Sequence, residues 1–177
     1  MGPKKQIQQD LNSAVKEKKK IETSTLRMLN AAIINKEKEK RYKIAKAEPE
    51  LTEEELIEKS QLTDEEVIEV ISSEVKKRKE SILEFEKGLQ PALHPSRKKY
   101  IEDLVEKEKK EIEVLNKYLP EQLSEENIKK LAKEAIEKVG AVEPKDMGKV
   151  MQELMPQVKG KADGSTVSKI VKELLQA

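Results

Sequence analysis

Apolar residues recur at intervals of three and four along most of this 177-residue chain, with short breaks between the patterned stretches. That spacing places them on one face of an α-helix, so the chain reads as a succession of amphipathic helices. Ile7, Leu11, Ala14 and Val15 predict the first, with Lys16 to Lys20 as its solvated end. Thr23-Ser24-Thr25 offers a cap or a kink before a second stripe, Leu26, Leu29, Ile33 and Ile34, which fades into Lys and Glu up to Ile44. Ala47-Glu48-Pro49 breaks the pattern, and two Thr-acid-Glu-Glu sequences follow, at Thr52 and Thr63. Each reads as a capping box, in which the Thr hydroxyl and the Glu three residues on satisfy one another's backbone amides. A short helix follows the first box. A long one follows the second, with Val67, Ile71, Val75, Arg78, Ile82 and Phe85 along one face and Gly88 as its stop.

Pro95 or Ser96 begins the next helix, with Ile101, Leu104, Val105, Ile112, Leu115 and Tyr118 on one face and Glu108 interrupting it. Leu119-Pro120 ends that helix and is the best domain boundary, because proline cannot continue the ladder. Ser124 caps a helix carrying Ile128, Leu131, Ala132, Ala135, Ile136 and Val139, which stops at Gly140. Met147, Val150, Met151 and Leu154 form one more stripe that Pro156 is expected to end. Val167, Ile170, Val171, Leu174 and Leu175 form the last, capped by Asp163 or Ser165. The reading is an all-α protein: residues 1–119 as an elongated helical hairpin or bundle, residues 120–177 as a compact three-helix domain.

Composition sharpens this picture. Charged residues make up 40% and apolar residues 36% of the chain, which suits many helices, each with a narrow buried stripe. With 36 Lys and Arg against 35 Asp and Glu, the net charge is only +1. Its distribution is uneven: twelve basic against five acidic residues from Lys4 to Lys43, then eleven acidic against one basic from Glu48 to Glu74. This fits either contact of one end with nucleic acid or packing of a basic helix on an acidic one.

Candidate chemistry is sparse. There is no Cys, which removes disulfides and thiolate nucleophiles and suits a reducing cytoplasm, the compartment we expect. His94 is the only histidine and has no nucleophile or second ligand beside it in sequence, so it reads as a surface or packing residue. Metal-ligand spacings, a P-loop and a dinucleotide-binding glycine motif are absent, and we expect no catalytic, cofactor or metal residue. No apolar run nears the roughly 20 residues a membrane span requires. The run Lys76-Lys77-Arg78-Lys79 reads as solvated surface except for Arg78, which falls on the apolar stripe and is expected to pair with a carboxylate between helices. Met147, Met151 and Met155 read as core. Three Tyr, one Phe and no Trp leave little platform for stacking bases.

The most particular residue order lies in the turn between the last two stripes, Val158-Lys159-Gly160-Lys161-Ala162-Asp163-Gly164-Ser165. Two readings fit it. One is a tight connection with solvated lysines. The other is an anion site, where backbone amides, a helix dipole and the ammonium groups of Lys159 and Lys161 converge.

Gly148, Met155, Lys159, Gly160, Lys161, Ala162 and Asp163 follow, in that order, the tail domain of the B subunit of the tRNA-dependent amidotransferases, which this segment resembles. Two positions depart: Lys149 stands where that tail usually carries an aromatic, and the tail lacks a proline at Pro156. A closer resemblance is to the stand-alone GatB/YqeY family. It extends to Thr25-Leu26-Arg27-Met28-Leu29-Asn30-Ala31-Ala32, Lys76 to Ser81, Phe85-Glu86-Lys87-Gly88 and Tyr118 to Ser124. Ile44 to Leu62 and Leu89 to Tyr100 fit less well and read as extended connections.

The resemblance implies an accessory module that contacts tRNA through Lys149, Lys159, Lys161, Lys169 and Lys172 around Gly160. At the level of the family it also implies carbon-nitrogen ligase chemistry with glutamine as amide donor, but nothing in the chain matches the much larger catalytic domains. The alternative is a protein-protein adaptor, acting on a partner or a second copy, that uses the same fold without RNA. A shared fold does not decide between them.

Overall fold

The computed structural model describes residues 2–89 and 94–176, and among them every regular element is a helix. In chain order these are α1 (Pro3–Lys16), α2 (Lys20–Ala47), α3 (Glu53–Lys59), α4 (Asp64–Lys87), α5 (Pro95–Asn116), α6 (Glu125–Val139), a single 3₁₀ turn (Pro144–Asp146), α7 (Met147–Val158) and α8 (Gly164–Gln176). The part of the expected connection at residues 90–93 lies outside the described residues. The chain divides into two compact units, Met1–Tyr118 and Leu119–Ala177.

In the first unit α4 and α5 form an antiparallel pair, α2 packs against both, and α1 lies on α2 and α4. Ile7, Leu26, Leu29, Ile33, Val67, Ile71 and Leu115 are its most deeply buried side chains. Both Thr boxes are formed: the Glu55 amide donates to Thr52 Oγ1 at 3.3 Å and the Glu66 amide to Thr63 Oγ1 at 3.2 Å, with each Glu side chain accepting from the Thr amide in return. The acids that follow them, Glu53 to Glu55 and Asp64 to Glu66, sit where the helix dipole favours negative charge.

Two expectations are corrected here. Thr23-Ser24-Thr25 does not cap a helix, because α2 runs through it. The Ser24 and Thr25 hydroxyls donate back to the Ile21 carbonyl, at 2.9 and 2.8 Å, and so do not compete with the helix. Val15 and Ile34, each placed beside a core position, are 45% and 40% exposed, since a narrow stripe covers too small an arc to take both neighbours. Gly88 does end α4, but with φ of −73°, so a left-handed conformation is not what stops the helix there.

The α4–α5 seam is crossed by a buried ionic cluster. Arg78 is 5% exposed, Glu74 8% and Glu111 4%. Arg78 Nε donates to Glu111 Oε2 at 2.9 Å, and Nη1 donates to Glu74 Oε2 at 3.0 Å and to the Glu74 carbonyl at 3.1 Å. Lys77 donates to the other Glu74 oxygen at 2.7 Å, and Lys107 lies 3.8 Å from Glu111 Oε1. Among the described residues no buried side-chain nitrogen or oxygen lacks a partner, which makes a charge tolerable in this position. Removing one member of such a cluster typically costs about 3–5 kcal/mol, because the others remain buried and uncompensated. Farther along, Tyr118 donates to Asp10 Oδ2 at 2.8 Å, and burial together with this bond pushes the Tyr118 phenol well above its usual range.

The carboxyls of the seam are driven in opposite directions. Burial alone would raise Glu74, but the hydrogen bonds from Lys77 and Arg78 outweigh it and hold Glu74 below the ordinary range. Glu108, half-buried on the same face, is raised by burial and by the charge of Glu111, and Arg78 and Lys107 offset only part of this. Because folding raises its pKa, ionised Glu108 costs stability at neutral pH. That cost disappears once the carboxyl is protonated in both the folded and the unfolded chain. We therefore expect Glu108→Gln to raise the melting temperature at pH 7 and to lose that gain as the pH falls below about 4, under the ordinary value of 4.5. A lower melting temperature at pH 7 contradicts this electrostatic reading.

Candidate nucleic-acid interface

The second unit is built from α6, α7 and α8, packed mutually around Ile128, Ala132, Ala135, Val150, Leu154, Val158, Val167 and Val171. Ser124 opens α6 by accepting from the Asn127 amide at 3.2 Å. Gly140 closes it in the left-handed conformation, φ 63°, while the Ala141 amide reaches back to the Ile136 carbonyl at 3.1 Å. Met147 and Met151 pack against this core, whereas Met155 is 39% exposed and is not part of it.

Pro156 does not end α7, contrary to the sequence expectation. The helix continues to Val158 with Pro156 inside its last turn. The amide that proline lacks would have paired with the carbonyl of Gln152, an exposed residue where water can substitute. The two further residues carry Val158 into the core, where it is 1% exposed.

The turn between α7 and α8 has the compact geometry of a connection. Lys161 and Ala162 both donate their amides to the Val158 carbonyl, at 2.9 and 3.0 Å. Asp163 caps α8: its Oδ1 accepts from the Ser165 amide at 2.9 Å and from the Ser165 hydroxyl. The amides of Lys161, Ala162 and Ser165 are therefore already used, and a carboxylate occupies the positive end of the α8 dipole. Gly160 adopts φ 73°, a region costly to residues with a Cβ.

That conformation presents the outer carbonyls of the turn to the segment entering the unit. Gln122 Nε2 donates to the Gly160 carbonyl at 2.9 Å and to the Pro120 carbonyl at 3.0 Å, and the Leu123 amide donates to the Lys161 carbonyl at 2.7 Å. The Lys-Gly-Lys turn is thus a clasp on residues 120–123. No sequence signal identified this role, because it joins segments 38 residues apart.

The candidate lysines separate into two groups. Lys149, one turn into α7, donates to Asp146 Oδ1 at 2.9 Å, and this bond, with the Val142 amide, holds the Asp146 carboxyl below its usual range. Asp146 thus already offsets the charge that Lys149 would present to a phosphate. Lys159 follows the other end of α7, about 15 Å along the helix axis from Lys149. Lys161, Lys169 and Lys172 are exposed and make no ion pair among the described residues. Ser165, Lys169 and Lys172 are spaced by four and three, so they share one exposed face of α8, with Lys161 just ahead of it.

Other candidates offer less. His94 is exposed and caps α5, its Nδ1 lying 2.6 Å from Ser96 Oγ and accepting from the Ser96 amide at 3.4 Å. Among the described residues no three His, Cys, Asp or Glu are arranged to hold a metal ion, and no helix is long and apolar enough to cross a membrane. In the first unit a groove of about 870 Å³ runs between α2 and α4, lined in part by Met28, Ala31, Ala32 and Val70. Its rim charges neutralise one another in the pairs Lys36–Glu39, Lys40–Glu66 and Lys77–Glu74.

If the clasp depends on the backbone of Gly160, Gly160→Val should destabilise the second unit by about 1–2 kcal/mol. Chemical denaturation followed by helical circular dichroism checks this, and an unchanged midpoint would remove the argument.

Residues 4–175 match the family described as Yqey-like protein, so the match extends across both units. A protein of Pyrenophora tritici-repentis (strain Pt-1C-BFP), named altered inheritance of mitochondria protein 41, mitochondrial, is 33% identical over 175 residues, covering 97% of this chain and 80% of that protein. Its name assigns that relative to mitochondria. On the extent of these matches, the chain belongs to the YqeY-like family.

Proposed function

We propose that this chain is an accessory, non-catalytic module that contacts tRNA, and that residues 120–177 act as a domain of the amidotransferase-tail kind. The observation that carries the reading is the exposed row Lys161, Lys169 and Lys172, whose ammonium groups are not committed to neighbouring carboxylates. Lys159 and Lys149 lie at the margins of the same unit, Lys149 with its charge partly offset by Asp146. Gly160 contributes by shaping the turn. Since the amides of Lys161, Ala162 and Ser165 are used internally, the contact is chiefly one of ammonium groups with phosphate.

Electrostatics limits its strength. Residues 145–172 hold six lysines and three acids, but residues 119–177 as a whole hold ten of each. Binding of this kind is weak, sensitive to salt and insensitive to sequence, because few phosphates are neutralised and no base edge is read. The absence of cysteine suits the reducing cytoplasm as its place of action.

A second reading, a protein-protein adaptor, is favoured by the groove between α2 and α4. Its small side chains allow close approach by another helix, and its self-neutralised rim gives no attraction to a polyanion. Light scattering on the purified protein, alone and with candidate partners, addresses that reading.

The RNA reading predicts a micromolar or weaker complex with unfractionated tRNA at 50 mM salt. It also predicts that Lys161→Glu/Lys169→Glu/Lys172→Glu weakens that complex at least tenfold without changing helicity or melting, since all three side chains are exposed. Fluorescence anisotropy measures both. Binding by the triple variant equal to that of the parent would transfer preference to the adaptor.

A further inference from the structure

Beyond Arg78 the first unit continues as α4 and α5, with Val105 of α5 still buried. Among the described residues between Lys79 and Leu104, none is buried. The pair stays in register there, since a Cβ on Gly88 would lie 3.9 Å from Ile101 Cδ1, just as Arg78 lies opposite Glu111. Ile82, Phe85, Ile101 and Leu104 make a half-buried seam between the two helices. Nine residues of α4, Lys79 to Lys87, follow Arg78, which carries this arm about 13 Å past the ionic cluster. Among the described residues of this arm only Val105 is buried, so core packing explains little of its length.

Its outer end is cationic. α5 opens with Pro95-Ser96-Arg97-Lys98-Lys99-Tyr100, all exposed, and has no acid in its first turn. α2, α3, α4 and α6 each place Glu or Asp in theirs, while α1, α7 and α8, like α5, have none. Basic side chains in that position oppose the helix dipole, so Arg97, Lys98 and Lys99 stand where they weaken the helix. Lys98 lies 3.9 Å from Glu102, and Arg97 and Lys99 have no ion pair among the described residues. The backbone is not the attraction. The amides of Ser96, Arg97 and Lys98 are satisfied by the side chain and carbonyl of His94. What the tip offers is three cationic side chains and the Tyr100 ring, which is 64% exposed.

We propose that the tip of the α4–α5 arm is a second RNA-contacting surface, in which Arg97, Lys98 and Lys99 bind the phosphate backbone of a folded RNA. The proposal rests on the tRNA reading given above and adds to it a contact in the other unit. Complementary charge selects the partner: a guanidinium can take a phosphate through two parallel hydrogen bonds, and the two neighbouring ammonium groups extend the contact to further phosphates. Tyr100 offers a ring face for an unpaired base at its edge.

The test is Arg97→Gln/Lys98→Gln/Lys99→Gln in the full chain, measured by anisotropy with unfractionated tRNA between 50 and 200 mM KCl, and by sedimentation with vesicles containing 30% phosphatidylserine. We expect affinity at 50 mM to fall roughly tenfold or more, and the slope of log affinity against log salt to become shallower by about 2–3. Melting should be no lower than in the parent, because removing these charges relieves the dipole; a lower melting temperature would overturn the premise that they serve binding rather than the fold. Unchanged tRNA binding by this variant, with loss in the Lys161/Lys169/Lys172 variant, refutes the arm and leaves the tRNA reading standing. No binding by the parent at 50 mM removes both. Loss of vesicle binding with tRNA binding intact overturns the proposal in favour of a membrane surface.

Discussion

The guanidinium of Arg78, held between Glu74 on its own helix and Glu111 on the next, is the constraint on which the first unit depends. Apolar residues are scarce enough in this chain that α4 and α5 cannot be joined by hydrophobic contact alone along their whole length. At the level of Arg78 a fully paired ionic cluster takes the place of a core layer. Its geometry specifies register, since an ion pair made through Nε and Nη1 tolerates less sliding than an aliphatic contact. Past this level Val105 is the one buried side chain of the two helices among the described residues, which leaves the outer turns of the arm available for contact with something else.

A different economy operates in the second unit. There the core is dense, and the segment with the most distinctive residue order is used as a joint. Gly160 turns the chain, Asp163 starts α8, and the carbonyls of Gly160 and Lys161 hold residues 120–123. The backbone is spent on structure, while the side chains of Lys161, Lys169 and Lys172 remain exposed for contact. Conformation and charge are thus divided between main chain and side chain within a few residues, which is why the turn suits both a tight connection and a weak electrostatic contact.

How much of this was legible depends on the range of each interaction. The capping boxes at Thr52 and Thr63, the Ser124 cap and the Gly140 stop are set by residues within a few positions of one another, and the sequence displays them. Arg78 was recognisable as a paired charge because it interrupts an apolar stripe, but its partners were not: Glu74 and Glu111 are two among 35 acids. Thr25 and Pro156 misled because their local preferences for a break were overridden, in one case by a hydroxyl bonding back to its own helix and in the other by burial of Val158. The clasp of Gln122 and Leu123 on the turn, and the exposure of the outer turns of α4 and α5, follow from tertiary packing and leave no local signature.

The central claim is that phosphate meets exposed lysine and arginine side chains while the helical framework stays as it is. A titration of the ¹⁵N-labelled full chain with unfractionated tRNA at low salt, followed amide by amide, addresses it most directly. The account predicts shift changes concentrated at residues 159–172 and 95–100, with the amides around Arg78 and the α2–α4 groove unmoved. Changes centred on that groove, or none at any RNA concentration reached, would contradict it.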